Sequence, residues 1–256
     1  MAHLHPQLRC RSVLITGSSR GIGLGLVRGL LAASPCPDLV LATCRYPEKA
    51  QELQQLCKKY PNLKLLQLDV VSESSIERVV KEVEEIVGDE GLNCLVNNAG
   101  INVVATLEQV TAETMLHIYE TNTVAQLMVT KAFLPLLRRA AQQSTGMGCH
   151  RATIVNMSSI SASMELVEDN HFRMVYPYRI AKTALNMITR CLAVDLERDG
   201  ILCVSLHPGW IDTDMGGSLA PLKVQDAIPG IISCLAHLSE KDNGSFLNGQ
   251  GGYLPW

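Results

Sequence analysis

The sequence has no Cys-x-x-Cys pair, although it holds nine cysteines (Cys10, Cys36, Cys44, Cys57, Cys94, Cys149, Cys191, Cys203 and Cys234). Their number is odd, and several sit in apolar runs such as "LNCLVNNAG" and "ILCVSLHPG". Scattered cysteine of this kind speaks against a disulfide framework and for reduced core thiols. Nor is there an apolar run of the ~18 residues that a membrane span needs, and the opening "MAHLHPQLRCRS" has no apolar signal core. A cytoplasmic protein that crosses no membrane is the expectation. A net charge of −3 provides no basic surface, so nucleic acid and acidic lipid are not expected partners. His3 and His5 read as part of a frayed terminus, and no other His, Cys or carboxylate cluster has metal-ligand spacing. With no internal repeat and no Pro/Gly/Ser linker, the chain reads as one domain over residues 1–256.

What is present is an alternation of short apolar runs with longer segments of helical period. Strands are expected at 12–16, 38–43, 63–69, 92–97, 152–158, 201–207 and 244–248. Helices are expected at 21–33, 47–60, 73–87, 112–143, 177–198 and 223–239. The helix at 73–87 keeps Ile76, Val79, Val80, Val83, Ile86 and Val87 on one face, with Ser72 as its N-cap. Apolar strands alternating with helices predict an α/β fold: a doubly wound, Rossmann-like parallel sheet of about seven strands with helices on both faces. In such sheets ligands bind beyond the carboxyl ends of the strands.

The first strand runs straight into Thr16-Gly17-Ser18-Ser19-Arg20-Gly21-Ile22-Gly23. A literal Gly-x-Gly-x-x-Gly is missing; the spacing is Gly-x-x-x-Gly-x-Gly, in the strand-to-helix position where backbone and helix N-terminus can hold a phosphate. Also missing is the acid that reads a ribose 2′-hydroxyl at the end of the second strand. Cys44 and Arg45 stand there, with Glu48 already past the turn. Arg45 and Arg20 together suit a 2′-phosphate, which favours NADP(H) over NAD(H).

The stretches "TGSSRGIG", "LDV" (68–70), "NNAG" (97–100), "TN" (121–122), "NMSS" (156–159), "YRIAK" (178–182) and "HPGWIDTDM" (207–215) occur in one order along nearly the whole chain. In this the sequence resembles the short-chain dehydrogenase/reductase family. Its ending "FLNGQGGYLPW" and the segment "YPYRIAKTALN" are most similar to the C-factor and sniffer-type carbonyl reductase branch. The resemblance implies an oxidoreductase that reduces a small-molecule carbonyl by hydride transfer. It gives Tyr178 the part of catalytic acid/base and Lys182 that of its partner. Ser159 becomes the hydroxyl that holds the substrate oxygen, with Ser158, Ser161 and Ser163 as nearby competitors. Asn122 becomes the residue that kinks its helix and helps hold a relay water. Tyr176 lacks a lysine four residues on and reads as pocket wall or core. For the cofactor the resemblance implies Gly17, Ser19, Arg20, Gly21, Ile22, Gly23 and Arg45, then Asp69 and Val70 beside adenine. Asn98, Ala99 and Gly100 would line the ribose, Tyr178 and Lys182 would join them, and Pro208, Gly209, Ile211 and Thr213 would hold the nicotinamide amide. Asp212 and Asp214 read as solvated loop acids. Relatives pair through their long helices, which implies a homodimer or homotetramer.

Tyr178 and Lys182, four apart, share one helix face. A phenol of pKa ~10 beside a fixed ammonium is expected to be pulled toward neutrality. From Ser159 to Tyr178 there are 19 positions, more than in typical members of the family. The added loop, "MELVEDNHFRMVYP", is expected beside the site, with Glu165, Glu168 and Asp169 at its mouth; the segment "DMGGSLAPLKVQDA" is short for a substrate lid. Two other readings stay open: an NAD-linked alcohol dehydrogenase, and a cofactor-binding signalling or scaffold protein in which catalysis is incidental.

Overall fold

Residues 8–167 and 175–256 are described by a computed structural model of the chain. His3, His5, Glu168 and Asp169 lie outside the described residues. Seven strands form one sheet: β1 (Ser12–Ile15), β2 (Leu39–Cys44), β3 (Leu63–Gln67), β4 (Cys94–Asn97), β5 (Thr153–Met157), β6 (Leu202–His207) and β9 (Phe246–Asn248), in the order β3-β2-β1-β4-β5-β6-β9. Every pairing is parallel. The order reverses between β1 and β4, the switch point at which doubly wound sheets open a crevice.

Alternation along the strands feeds two cores. Val13, Ile15, Val40, Ala42, Cys94 and Val96 face one side, against α1 (Gly21–Ala32), α2 (Gln51–Lys59) and α7 (Val224–His237). Leu14, Leu41 and Leu95 face the other side, against α3 (Glu73–Val87), α5 (Ala125–Ala141) and α6 (Tyr176–Asp195). Phe133 on α5 is fully buried there, and trimming such a ring to alanine costs about 3–5 kcal/mol. α3 starts as expected, with Ser72 Oγ accepting from Ser75 N at 3.3 Å. It buries Ile76, Val79, Val83 and Val87, while Ile86 falls at the rim and is exposed. All nine cysteines are free thiols.

Three local features differ from the expectation. The helix expected at 47–60 is broken at Ala50 (φ −86°, ψ 65°) into a 3₁₀ turn at Pro47–Lys49 and α2. The long helix expected at 112–143 is α4 (Ala112–Tyr119), a π-helical turn at Glu120–Val124, and α5. A two-stranded parallel ribbon, β7 (Ile211–Asp212) with β8 (Leu222–Lys223), folds the segment after β6 back on itself. Two-residue strands are too short to leave an alternating pattern in the sequence.

Candidate active site

At the carboxyl edge of the sheet lies a cleft of about 670 Å³. One wall is the turn from β1 into α1. Gly17 sits at φ +68°, and a Cβ there would come within 2.8 Å of Ala99 Cα. A Cβ on Gly23 would come within 2.7 Å of Asn98 Nδ2. The amide of Asn98 donates to Thr16 O (2.8 Å) and Gly17 O (3.2 Å), while Thr16 Oγ1 accepts from the backbone N–H of Asn98 and Ala99. The loops after β1 and β4 are thus locked together so closely that only glycine fits. Arg20 at the N-cap of α1 provides no side-chain cap, and Gly21, Ile22 and Gly23 line the cleft. The first N–H groups of α1 and the positive end of its dipole are therefore available to an anion.

The next wall is built from the ends of β2 and β3. Cys44, Arg45, Asp69 and Val70 line the cleft there, and Glu48 does not. The Arg45 guanidinium lies over the Tyr46 ring at 5.9 Å. Arg20 is exposed and forms an ion pair with Asp214 at 3.0 Å. Asp212 pairs with Lys223 at 2.6 Å. Both acids line the cleft, so the reading of them as merely solvated is corrected.

The opposite wall comes from α6 and β5. Lys182 is buried, its ammonium donates to Met157 O at 2.6 Å, and it lies 5.7 Å from the centre of the Tyr178 ring. Burial pushes Lys182 down to about 8. Tyr178, hydrogen-bonded to Ser159, is pushed up to about 12, because burial disfavours tyrosinate more than that bond favours it. The expected downward pull on the phenol is absent; the ammonium is committed to the Met157 carbonyl instead.

The hydroxyls of Ser158 and Ser163 are engaged elsewhere. Ser158 lines the cleft but donates to Asn186 Oδ1 at 2.7 Å, and Ser163 Oγ donates to Trp256 O at 3.3 Å. Ser161 N donates to Ser159 Oγ at 3.2 Å. Asn122, fully buried in the π turn, accepts from Ile101 N (2.9 Å) and donates to Ile101 O (2.8 Å). A Cβ on Gly100 would lie 3.2 Å from Asn122 Oδ1 and 3.8 Å from Lys182 Nζ, so the bare glycine keeps a gap between these two groups. Beneath them runs a buried polar ladder. Asn97 donates to Thr130 and Asn156, Asn156 donates to Thr189, and Ser205 donates to Thr189, at 2.8–2.9 Å.

The cleft brings together Gly17, Ser19, Arg20, Gly21, Ile22, Gly23, Arg45, Asp69, Val70, Asn98, Ala99, Gly100, Tyr178, Lys182, Pro208 and Thr213. Ser159 and Asn122 are not part of the lining: Ser159 is half-buried beside Tyr178, and Asn122 is buried against Ile101. Gly209 and Ile211 lie outside it, Ile211 being buried in β7. Tyr176 is exposed and no part of the wall, neither pocket nor core. Glu165 is also outside, its backbone N–H donating to Trp256 O at 3.0 Å. Sequence reasoning missed His117, Glu120 and Thr121, which line the cleft from the turn before Asn122. They stand five, two and one positions before Asn122, not at the spacing of a shared helix face, so the sequence carried no signal for them. His207 lies outside the wall, and burial pushes it down to about 4, leaving it neutral at pH 7.

Comparison with known proteins agrees with this architecture. The profile described as short chain dehydrogenase matches residues 11–223. An NADPH-bound carbonyl reductase from chicken fatty liver superposes with a TM-score of 0.95 at 44% identity, over 99% of this chain and 97% of that one. The carbonyl reductase Sniffer of D. melanogaster gives 0.93 at 44% identity, over 96% of this chain and all of that one (100%). The C-signal protein of Myxococcus xanthus is 32% identical over 64% of this chain and 93% of its own. The chain is an oxidoreductase fold of this kind throughout, and it belongs to the short-chain dehydrogenase family.

Proposed function

We propose that the protein is an NADPH-dependent carbonyl reductase, converting an aldehyde, ketone or quinone to the alcohol with Tyr178 as proton donor. The observation that carries this reading is Tyr178 meeting Lys182 and Ser159 in a cleft whose other end offers arginines and no carboxylate at the end of β2. In reduction the Tyr178 phenol is the acid; the same group, ionised, is the base of the reverse oxidation.

The residues fit the cofactor. The glycine turn that a Cβ would fill and the uncapped start of α1 suit a pyrophosphate. Arg20 and Arg45 suit a 2′-phosphate. The similar chicken protein is described as NADPH-bound. When bound, the cofactor supplies a hydride to the carbonyl carbon. The Tyr178 hydroxyl gives its proton to the carbonyl oxygen, a contribution on the order of 10²–10⁴-fold. The Ser159 hydroxyl, within bonding reach of Tyr178, orients that oxygen. Lys182 holds its charge beside the phenol as negative charge develops on it. The gap kept by Gly100 between Lys182 and Asn122 leaves room for a water that returns a proton to Tyr178.

Mixing the protein with NADPH and a panel of aldehydes, ketones and quinones tests this, with cofactor consumption as the readout. Tight NADPH binding with no consumption across the panel would favour the scaffold reading, and tighter NADH than NADPH would favour the NAD-linked dehydrogenase. The outer faces of α4, α5 and α6 expose Leu116, Val124, Met128, Ile180, Met187 and Val194, an apolar surface that supports pairing of two or four copies. Light scattering of the native protein, and of Met187→Glu, reads that directly. Free thiols throughout fit a reducing cytoplasm, and among the described residues no helix is long and apolar enough to cross a membrane.

A further inference from the structure

We propose that Asp214 is a built-in competitor for Arg20, and that transfer of Arg20 from Asp214 to a 2′-phosphate sets the protein's preference between NADP(H) and NAD(H). The inference rests on the cofactor reading above and goes past it, to a residue outside the glycine turn that meets it only through Arg20.

Arg20 and Asp214 face each other across the mouth of the cleft at 3.0 Å, with side chains 75% and 74% exposed. The two segments already meet below the pair, since a Cβ on Gly21 would lie 3.4 Å from Thr213 Cγ2. The turn that carries Asp214 is ordered without help from Arg20. Gly216 N donates to Thr213 Oγ1 (3.1 Å), Gly217 N donates to Thr213 O (2.8 Å), and Trp210 Nε1 donates to Gly216 O (2.8 Å). Lys223 pins Asp212 two residues earlier, at the base of the turn. The backbone thus presents the Asp214 carboxylate to Arg20 at the mouth of the cleft.

An ion pair this solvated is weak, and a stronger anion displaces it. A phosphate monoester carries about −1.5 to −2 charges and more acceptor oxygens than a carboxylate. Both groups call for the same guanidinium fork, and as like charges they repel each other around it. A dinucleotide with a 2′-phosphate must break the Arg20–Asp214 pair, whereas one with a free 2′-hydroxyl leaves it intact. Asp214 thus weakens NADP(H) selectively and narrows a preference that Arg20 and Arg45 alone would make wider.

Calorimetric titration of the purified protein with NADPH and with NADH reads this without turnover. For Asp214→Asn the NADPH dissociation constant is expected to fall about two- to fivefold, the span an exposed ion pair carries, with a smaller change for NADH. Asp214→Ser should repeat the shift. In Arg20→Met, NADPH binding weakens and adding Asp214→Asn no longer tightens it. Unchanged or weaker NADPH binding in both Asp214 variants, with the wild type still preferring NADPH, would overturn the competitor role alone. A wild type that prefers NADH would overturn the cofactor reading first, and this proposal with it.

Discussion

The two ends of the cleft are built on opposite principles. At the end proposed as catalytic the polar groups are bonded into the wall: buried Lys182 on Met157 O, half-buried Tyr178 on Ser159, buried Asn122 on Ile101, above the Asn97–Asn156–Thr189 ladder. At the adenosine end the cations are exposed and loosely held, Arg20 by one solvated carboxylate and Arg45 over a tyrosine ring. Burial shifts the catalytic groups strongly, Lys182 to about 8 and Tyr178 to about 12. On the function proposed above, the reacting groups are held by bonds to the wall, and cofactor choice falls where water keeps each contact small and adjustable.

Substitutions at the two ends should differ in size accordingly. Tyr178→Phe should lower turnover by about 10²–10⁴-fold with NADPH affinity nearly unchanged; single-turnover kinetics beside calorimetry separate the two. Turnover that survives would remove Tyr178 from the role of acid. Asn156→Leu interrupts the ladder, taking one bond from the Asn97 amide, which keeps Thr130, and one from the Thr189 hydroxyl, which keeps Ser205 and Leu185 O. A loss of about 1 kcal/mol for each broken bond is expected in denaturant unfolding.

Lys182 sharpens the comparison through pH. Its folded value of about 8 lies below the ordinary value of 10.5, so between them the unfolded chain holds a proton that the folded chain has released. Stability from this group therefore rises with pH from about 8 to 10.5, and below 8 the buried ammonium is a cost. Lys182→Met should stabilise the protein at neutral pH, by on the order of 3 kcal/mol at most, and flatten that rise while abolishing turnover. Melting curves across pH give the answer, and a less stable Lys182→Met would show that the lysine's bond to Met157 outweighs its burial. The smallest effect is expected at the adenosine end, where Arg45→Gln should weaken NADPH about two- to fivefold in direct titration and leave NADH alone.

Much of this was legible in the sequence for reasons that particular residues make plain. Val13, Leu14 and Ile15 announce a strand buried on both faces, and the Ile76–Val79–Val83–Val87 spacing announces α3. Ser159 stands at Tyr178 because strand β5 ends just before it. What could not be read is what depends on distant neighbours. The pairing of Asp214 with Arg20 joins residues far apart in the chain through a ribbon only two residues long. The upward shift of Tyr178 depends on burial and on where an ammonium points, and the Tyr-x-x-x-Lys spacing fixes neither. His117 at the end of α4 and Glu120 and Thr121 at the start of the π turn were passed over because a π turn has no composition of its own.

That π turn also sets a rule for chain length. A π turn holds one residue more than the α turn it replaces, so α4 and α5 keep their phase while the added residue is taken up at Glu120–Val124. Removing one residue there would close the turn to α geometry, leave Val129, Phe133 and Leu137 on the sheet and pull the Asn122 amide away from Ile101. The extra residue thus serves the cleft rather than the core: its loss would spare the packing and unseat one asparagine.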